Sequence, residues 1–284
     1  MIELADVPEL RDPIMIAAFE GWNDAGEAAT AAIEHLSEVW GAEPVAAIDP
    51  EDYYDFQVSR PRVVLDDGKR RISWPTTRIL LASSTSLERD IILVQGIEPS
   101  MRWRAFTVEL LEFAQLMGVT TFVTLGALLA DVPHTRPLPV SATSEHEDVA
   151  HRFDLEPSKY EGATGIVGVL ADAASQSELP ALSCWVAVPH YAGGTPSPKA
   201  TLGLIAKLEE LLDLPIPHGD LAEESRAWEH GVDELAESDE EVAEYIHSLE
   251  EAQDTADLPE ASGDAIALEF ERYLRRRGED PPTG

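Results

Sequence analysis

The chain has 284 residues with 54 acidic and 20 basic side chains, a formal net charge of −34, and 44% of its residues are hydrophobic. This hydrophobic content is ample for a folded core and excludes wholesale disorder. The charge opposes binding to nucleic acids and anionic membranes, which requires surfaces rich in Lys and Arg. We find no signal-peptide pattern and no apolar run approaching about 18 residues, so we expect a cytoplasmic protein.

Short apolar runs predict eight strands, and helical periodicity predicts four helices before residue 219. The predicted strands are Ile14–Phe19, Pro44–Ile48, Arg62–Leu65, Arg70–Trp74, Arg78–Ala82, Asp90–Gln95, Thr120–Leu125 and Ser183–Val188. The predicted helices are Asp24–Trp40, Trp103–Met117, Gly165–Ser175 and Ser197–Leu212. Because helices alternate with strands, we expect an α/β fold with a largely parallel sheet covered by helices.

Three local signals support these boundaries. Asp67–Gly68 lies between two strand-like runs and predicts a hairpin turn with positive φ at Gly68. Pro198 stands in the first turn of its helix, a favoured position because that amide needs no intrahelical partner. The single cysteine, Cys184, lies in the run "ALSCWVAV" and is expected to be a small core residue.

The stretch "FEGWNDAGEAAT" interrupts the apolar pattern between the first long strand and the first helix. Its polar residues and glycines are Glu20, Gly21, Asn23, Asp24, Gly26 and Glu27. One interpretation makes Asp24 the cap of the helix, with Glu27 completing a capping box. The other makes the junction a ligand site, in which the glycines allow close approach to the helix N-terminus. Two carboxylates alone are weak support for Mg²⁺, so we predict no metal.

The loop "ADVPHTRP" offers Asp131, His134 and Arg136 directly after a strand. His134 could act as a general acid or base with Asp131 orienting it, and Arg136 could bind an anion. The same residues beside Pro133 and Pro137 also describe a rigid surface loop.

Two further segments carry candidate site residues. His190 follows another strand, and Gly193 gives the backbone freedom before the next helix. Arg102 and Arg104 flank a tryptophan in "EPSMRWRAF" and could bind an anion or pair with neighbouring acids. The chain contains no GxSxG elbow, no HExxH, no CxxC pair and no phosphate-binding loop, and we predict no cofactor.

The composition changes near residue 218, which predicts a core domain at 1–218 and an acidic helical extension at 219–284. The extension has 21 acidic and 5 basic residues, and "ALEFERYLRRRG" predicts its last helix. Its earlier apolar residues at helical spacing are Trp228, Val232, Leu235, Val242, Tyr245 and Leu249. Such a stripe must pack on the body or on another subunit. Since like charges repel, we expect homo-oligomer contacts through the core domain, with the extension peripheral.

Four segments together resemble one family: "FEGWNDAGEAAT", "GIEPSMRWRAF", "LGALLADVPHTRPLPV" with "YEGATGIVGVL", and "WVAVPHYAGGTPSPKATLGLI". The chain is identified by them as similar to an actinobacterial member of the proteasome assembly chaperone family, the group named for the second eukaryotic assembly chaperone. The resemblance spans about Ile14 to Leu212. It implies a three-layer αβα sandwich similar to nucleoside phosphorylases and a tendency to homo-oligomerise.

Two functions follow as hypotheses. The first is a non-enzymatic, oligomeric assembly or interaction protein whose partners include proteasome subunits. The alternative is a small-molecule hydrolase or phosphorylase of the nucleosidase type, suggested by fold analogy alone. An enzyme requires a pocket in which Glu20, Asp131 and His190 converge at the strand ends, whereas a chaperone does not.

Overall fold

The computed structural model describes residues 3–4, 9–66, 68–83, 87–177 and 179–255. The strands are β1 (Glu3–Leu4), β2 (Ile14–Glu20), β3 (Glu43–Ile48), β4 (Arg62–Asp66), β5 (Lys69–Ser73), β6 (Thr77–Ala82), β7 (Ile91–Ile97), β8 (Thr121–Ala130), β9 (Val140–Thr143) and β10 (Ala181–Pro189). The α-helices are α1 (Ala28–Trp40), α2 (Trp103–Leu116), α3 (Glu147–Phe153), α4 (Ile166–Ser175), α5 (Pro198–Leu212), α6 (Leu221–Glu237) and α7 (Glu240–Thr255). Short 3-10 turns lie at Ala25–Glu27, Pro50–Asp52 and His190–Ala192.

Eight of these strands form one mixed sheet in the order β1-β3-β6-β7-β2-β8-β10-β9. Its four central strands, β7, β2, β8 and β10, run parallel, whereas β1, β3, β6 and β9 pair antiparallel with their neighbours. The prediction of a largely parallel sheet therefore holds for the centre only. Parallel neighbours need a long crossover, and the connection from β6 to β7 is too short to provide one.

The sheet is buried between two layers of helices. In β2, Ile14 and Ile16 face the core beneath α1 and α5, and Met15 and Phe19 face the core beneath α2 and α4. Such a continuous apolar run is typical of a strand covered on both faces. The α/β fold with three αβα layers is thus confirmed. Cys184 is completely buried in the first core, and burial raises the pKa of its thiol to about 12, which makes it unreactive at neutral pH.

The structure contains elements that the sequence did not indicate. The strand β9 is only four residues long, and the helix α3 spans seven residues with one buried side chain, Val149. Neither is long enough to show a periodic apolar pattern. The hairpin between β4 and β5 has φ of 75° at Gly68, as predicted, while Asp67 lies outside the described residues.

The two described helices of the acidic extension pack on the chain's own body, where α6 lies against α5. Val232 is buried on this surface as predicted, whereas Leu235 is exposed and Ile246, which the pattern did not single out, is buried. The "ALEFERYLRRRG" segment lies outside the described residues. Over the part of the chain that the structure describes, no helix combines the length and hydropathy needed to cross a membrane.

Candidate functional site

A buried polar cluster joins the ends of β2 and β7 to the start of α4. The Oε1 atom of Glu98 accepts hydrogen bonds from the Asn23 side-chain amide and from the Ile166 backbone N–H, both at 2.8 Å. Asn23 is 1% exposed, and within the described residues its Oδ1 atom has no hydrogen-bond partner. A Cβ atom on Gly165 would lie 2.3 Å from that oxygen, so only glycine fits there. Glu98 and Gly165 were not predicted as site residues.

Asp24 caps α1, as one interpretation of the sequence predicted. Its Oδ1 atom accepts the backbone N–H groups of Ala29 at 2.7 Å and Thr30 at 3.2 Å, and its Oδ2 atom accepts the Thr30 hydroxyl. The predicted capping box is wrong, because the helix begins at Ala28 and Glu27 occupies the N-cap position without a side-chain cap bond. Burial raises the pKa of Asp24, and the hydrogen bonds from Thr30 and Ala29 oppose that shift.

A cavity of about 410 Å³ opens beside this cap. Its lining residues are Glu20, Gly21, Asp24, Glu27, Thr30, Ala31 and Glu34. Four carboxylates and no basic side chain face it, which opposes an anionic ligand at this helix N-terminus. Among the described residues, no group of three His, Cys, Asp or Glu side chains is arranged to hold a metal ion. The ligand-binding roles of Gly21, Asn23 and Asp24 stay predictions.

Asp131 follows the end of β8, and His190 follows the end of β10. These two strand ends lie close together, beneath the acidic extension. The Nδ1 atom of His190 lies 3.3 Å from Oδ1 of Asp131, whose side chain is almost fully buried. Tyr245 of α7 donates its hydroxyl to the same carboxylate oxygen at 2.6 Å. The Tyr245 ring also packs edge-on against His190, with 5.3 Å between ring centroids. Tyr245 of the acidic extension thus contacts two of the three residues that the enzyme hypothesis requires.

His134 is 1% exposed and is fixed on both sides of its ring. Its Nδ1 atom lies 2.9 Å from the hydroxyl of Tyr191, and its Nε2 atom lies 3.0 Å from Asp233 of α6. Lys199 donates to the His134 carbonyl at 2.5 Å and also to Glu229 of α6. These contacts hold α6 of the acidic extension against the "ADVPHTRP" loop.

Arg136 of the same loop contacts α7, the second helix of the acidic extension. Its guanidinium donates to Asp254 at 2.7 Å and to Glu250 at 3.4 Å, both on α7. The hydrogen bond from Arg136 lowers the pKa of Asp254 below its ordinary value. Sequence reasoning offered Arg136 as an anion ligand, and the anions it contacts are carboxylates of its own chain.

The structure does not bring the three predicted strand ends into one described cavity. Glu20 lines the acidic cavity beside Asp24. Neither Asp131 nor His190 lines that cavity or a second cavity of about 640 Å³ along α4. The geometry that the enzyme hypothesis required is therefore not found in the described cavities.

The remaining predicted site residues, Arg102, Arg104 and Gly193, line neither described cavity, and their ligand-binding roles stay predictions. Arg102 occupies the N-cap position of α2 with φ of 56°, forms an exposed ion pair with Asp52, and lies 5.8 Å above the Tyr53 ring. Arg104 is exposed. Gly193 has an ordinary φ of −73°, so the predicted need for backbone freedom is wrong. Glycine fits there because a Cβ atom would lie 2.3 Å from the Leu129 side chain.

A larger cavity of about 640 Å³ lies along α4 above β8, β10 and β9. Two indole rings line it, those of Trp22 and Trp185, together with the carboxylates Glu145 and Asp172. Trp185 lies so close over Gly126 that a Cβ atom there would be 2.6 Å from the indole ring. None of the lining residues is Lys, Arg or His. Sequence reasoning missed this cavity, because its walls come from segments far apart in the chain.

Comparisons with known proteins place the chain in one family. A family model described as "PAC2 family" matches residues 18–236. A PAC2 family protein from Streptomyces avermitilis has 57% identity and a TM-score of 0.78, with 83% of this chain and 100% of that chain covered. A proteasome-assembly chaperone homologue from Mycobacterium tuberculosis has 46% identity and a TM-score of 0.75, with 82% and 99% covered.

An archaeal proteasome activator from Pyrococcus furiosus shares the fold at 19% identity, with a TM-score of 0.67 and 83% and 98% of the two chains covered. None of the curated protein sequences compared with this chain matches it. The family model covers most of the αβα body and all but one residue of α6, and the two bacterial relatives are matched over nearly their whole length. The chain belongs to the PAC2 family, and the resemblance found in its sequence is confirmed.

Proposed function

We propose that this chain is a non-catalytic assembly factor that binds proteasome subunits and works as a homo-oligomer. The Mycobacterium tuberculosis relative, which is 46% identical, is named a proteasome-assembly chaperone homologue, and this name supports a proteasome partner. The structural observation that carries the proposal is that Asp131, His134 and His190 are engaged in contacts within the chain. All three contact the acidic extension or the residues that hold it.

The charge of the chain suits a protein partner with a basic or mixed surface, because a net charge of −34 steers such a surface toward it and repels nucleic acid. Glu20 stands apart in a cavity lined by other carboxylates. No described cavity joins it to a histidine, so no observation favours the nucleosidase alternative.

Full-length protein mixed with purified proteasome α and β subunits of the same organism tests the proposal. We expect a complex in size-exclusion chromatography and faster assembly of the core particle from its subunits. The variant Glu20→Gln is the matched control for the enzyme alternative, and it should bind the subunits as the wild type does. Absence of a complex, together with nucleoside cleavage that disappears in Glu20→Gln, would overturn the proposal.

A further inference from the structure

The ribbon formed by β4 and β5 carries a concentration of exposed apolar side chains, namely Val63, Val64, Leu65 and Ile72. Its two strands form a separate two-stranded sheet, and every residue in both strands is exposed. A two-stranded ribbon is at best marginally stable alone in water. Something that covers one of its faces would stabilise it.

The register separates the ribbon into two different faces. Val63 pairs with Ile72 and Leu65 pairs with Arg70, so these four side chains share one face. Trp74 continues this face beyond the end of β5. The aliphatic and aromatic members are exposed by 58% (Val63), 75% (Leu65), 59% (Ile72) and 48% (Trp74).

The opposite face of the ribbon is polar. It carries Arg62, Asp66, Lys69 and Arg71 around a single aliphatic residue, Val64. Arg71 and Asp66 form an exposed ion pair on it at 2.5 Å. The first face is called here the apolar ribbon face and is defined by Val63, Leu65, Arg70, Ile72 and Trp74. Trp74 already packs edge-on against Phe56 of the same chain, with 4.9 Å between ring centroids. A partner would therefore cover mainly the three exposed aliphatic side chains of this face.

The ribbon is also positively charged within an acidic protein. Five of the chain's 20 Lys and Arg residues lie between positions 60 and 71, against two acidic residues. Of these five, Arg70 lies on the apolar ribbon face, whereas Arg62, Lys69 and Arg71 lie on the opposite face. A complementary surface should therefore combine apolar area with negative charge.

The cavity along α4 has this complementary chemistry. It offers the indoles of Trp22 and Trp185 for aliphatic contact and for stacking on the Arg70 guanidinium. Its carboxylates, Glu145 and Asp172, add negative charge, and no basic residue lines it. A volume of about 640 Å³ has room for several side chains of the ribbon.

The two surfaces lie apart within one molecule, since no residue of β4 or β5 lines the cavity. The ribbon is inserted between β3 and β6 near one end of the eight-stranded sheet, whereas β10 and β9 form the other end. Neighbouring strands lie about 4.8 Å apart, so the four spacings from β6 to β10 amount to roughly 19 Å. A ribbon of five residue pairs is only about 17 Å long.

We propose that the apolar ribbon face of one copy docks into the Trp22–Trp185 cavity of a second copy of this chain. Two different surfaces on each molecule then meet head to tail, an arrangement that forms a ring when its rotation closes and an open filament when it does not. This inference deepens the homo-oligomer part of the proposed function by naming its contact. It does not depend on proteasome binding.

Light scattering of the purified full-length chain over a range of concentrations tests the contact. Val63→Asp lies on the apolar ribbon face and should weaken self-association at least about tenfold, because it would bury a charge in the contact. Val64→Asp, one residue along and on the opposite face, is the matched control and should associate like the wild type. Equal behaviour of the two variants overturns the inference.

The cavity side is tested by Ala171→Arg, which fills the cavity from α4, and by Asp172→Arg, which reverses an exposed charge at its edge. Each variant should lose self-association and keep the wild-type melting temperature. If Ala171→Arg fails to fold, Asp172→Arg alone decides. Cavity variants that associate like the wild type overturn the inference.

Mixing the two kinds of variant gives the sharpest outcome. Val63→Asp keeps an intact cavity and Asp172→Arg keeps an intact ribbon, so an equimolar mixture should form a one-to-one complex although each alone is monomeric. A mixture that stays monomeric overturns head-to-tail docking. A wild-type chain that is monomeric at every concentration also overturns it, while proteasome binding would still be measured separately.

Discussion

The ribbon β4–β5 and the helices α6–α7 of the acidic extension, called here the tail, both lie outside the three αβα layers. They carry opposite charge. Residues 219–255 contain 14 acidic residues and one basic residue, whereas the ribbon carries a cluster of Lys and Arg. The acidic tail is nevertheless the one that packs on its own acidic body. The basic ribbon is exposed along both strands.

This difference shows that specific contacts, and not net charge, decide which of the two elements packs on the body. Exposed charges interact weakly in water and are screened by salt. The tail buries Val232 and Ile246 and finds specific donors in Arg136 and Lys199. Among the described residues, neither β4 nor β5 has a buried side chain.

The largest expected effect comes from placing the same charge in both regions. Val232→Asp in α6 would bury an unpaired carboxylate and should lower the free energy of unfolding by about 3 kcal/mol. Val63→Asp in the ribbon should change the monomer's stability by less than about 0.5 kcal/mol, because that side chain is exposed. Urea unfolding at low protein concentration measures both. Similar losses in the two variants would break the comparison.

A smaller effect is expected from one hydrogen bond that holds the tail. Tyr245→Phe removes the hydroxyl donated to the buried carboxylate of Asp131 and should cost about 1.5 kcal/mol. Tyr160→Phe is the control, since that hydroxyl donates to the neutral carbonyl of Ala163 in an exposed loop and should matter less. Thermal unfolding of both variants provides the measurement. A larger loss in Tyr160→Phe would contradict the assignment of Tyr245 as a tail anchor.

The hairpin turn of the ribbon gives a local prediction. Gly68→Val places a β-branched residue at φ of 75° and should destabilise the ribbon by about 1 kcal/mol or more. Because the ribbon is a separate sheet, the cost should appear as faster amide hydrogen exchange in β4 and β5, with little change in the body. Unchanged exchange in both strands would count against the turn.

The smallest effect is a pH dependence of the tail contact. Arg136 lowers the pKa of Asp254, so this pair contributes stability above the unfolded-state value of about 3.9 and loses it as pH falls through the lower folded value. The destabilisation caused by Arg136→Gln should therefore shrink as the pH falls below about 4. Urea unfolding of wild type and variant from pH 7 to pH 3 measures this difference. A difference that is constant with pH would exclude Asp254 as the partner.

Much of the body could be predicted from the sequence because its signals are local. The long apolar runs predicted the buried strands β2, β7, β8 and β10, although β8 continues five residues past its predicted end. Pro198 predicted the start of α5, and the structure adds that the Ser197 hydroxyl accepts the Ala200 N–H. Asp24 was predicted as a cap in one of two interpretations, while the first helical residue and the capping box with Glu27 were wrong. The division at residue 218 stays a prediction.

The candidate site was harder to predict, because its contacts join segments that are far apart in sequence. Glu98 acts on Asn23 and Ile166, which lie 75 and 68 residues away from it. Asp131, His134 and Arg136 follow β8, as the sequence indicated, and their role as site residues stays a prediction. Their partners on α6 and α7 lie about a hundred residues downstream, and no periodic pattern indicates such pairs.

By itself the sequence determined the αβα class, the family and the parallel centre of the sheet. These follow from composition, local periodicity and motifs that short segments carry alone. The tertiary structure alone decided that the tail contacts Asp131 and His190, that the apolar ribbon face is left exposed, and that a cavity with complementary chemistry lies at the other end of the sheet. Burial and partner choice depend on which segments folding brings together, and that information is not local in the chain.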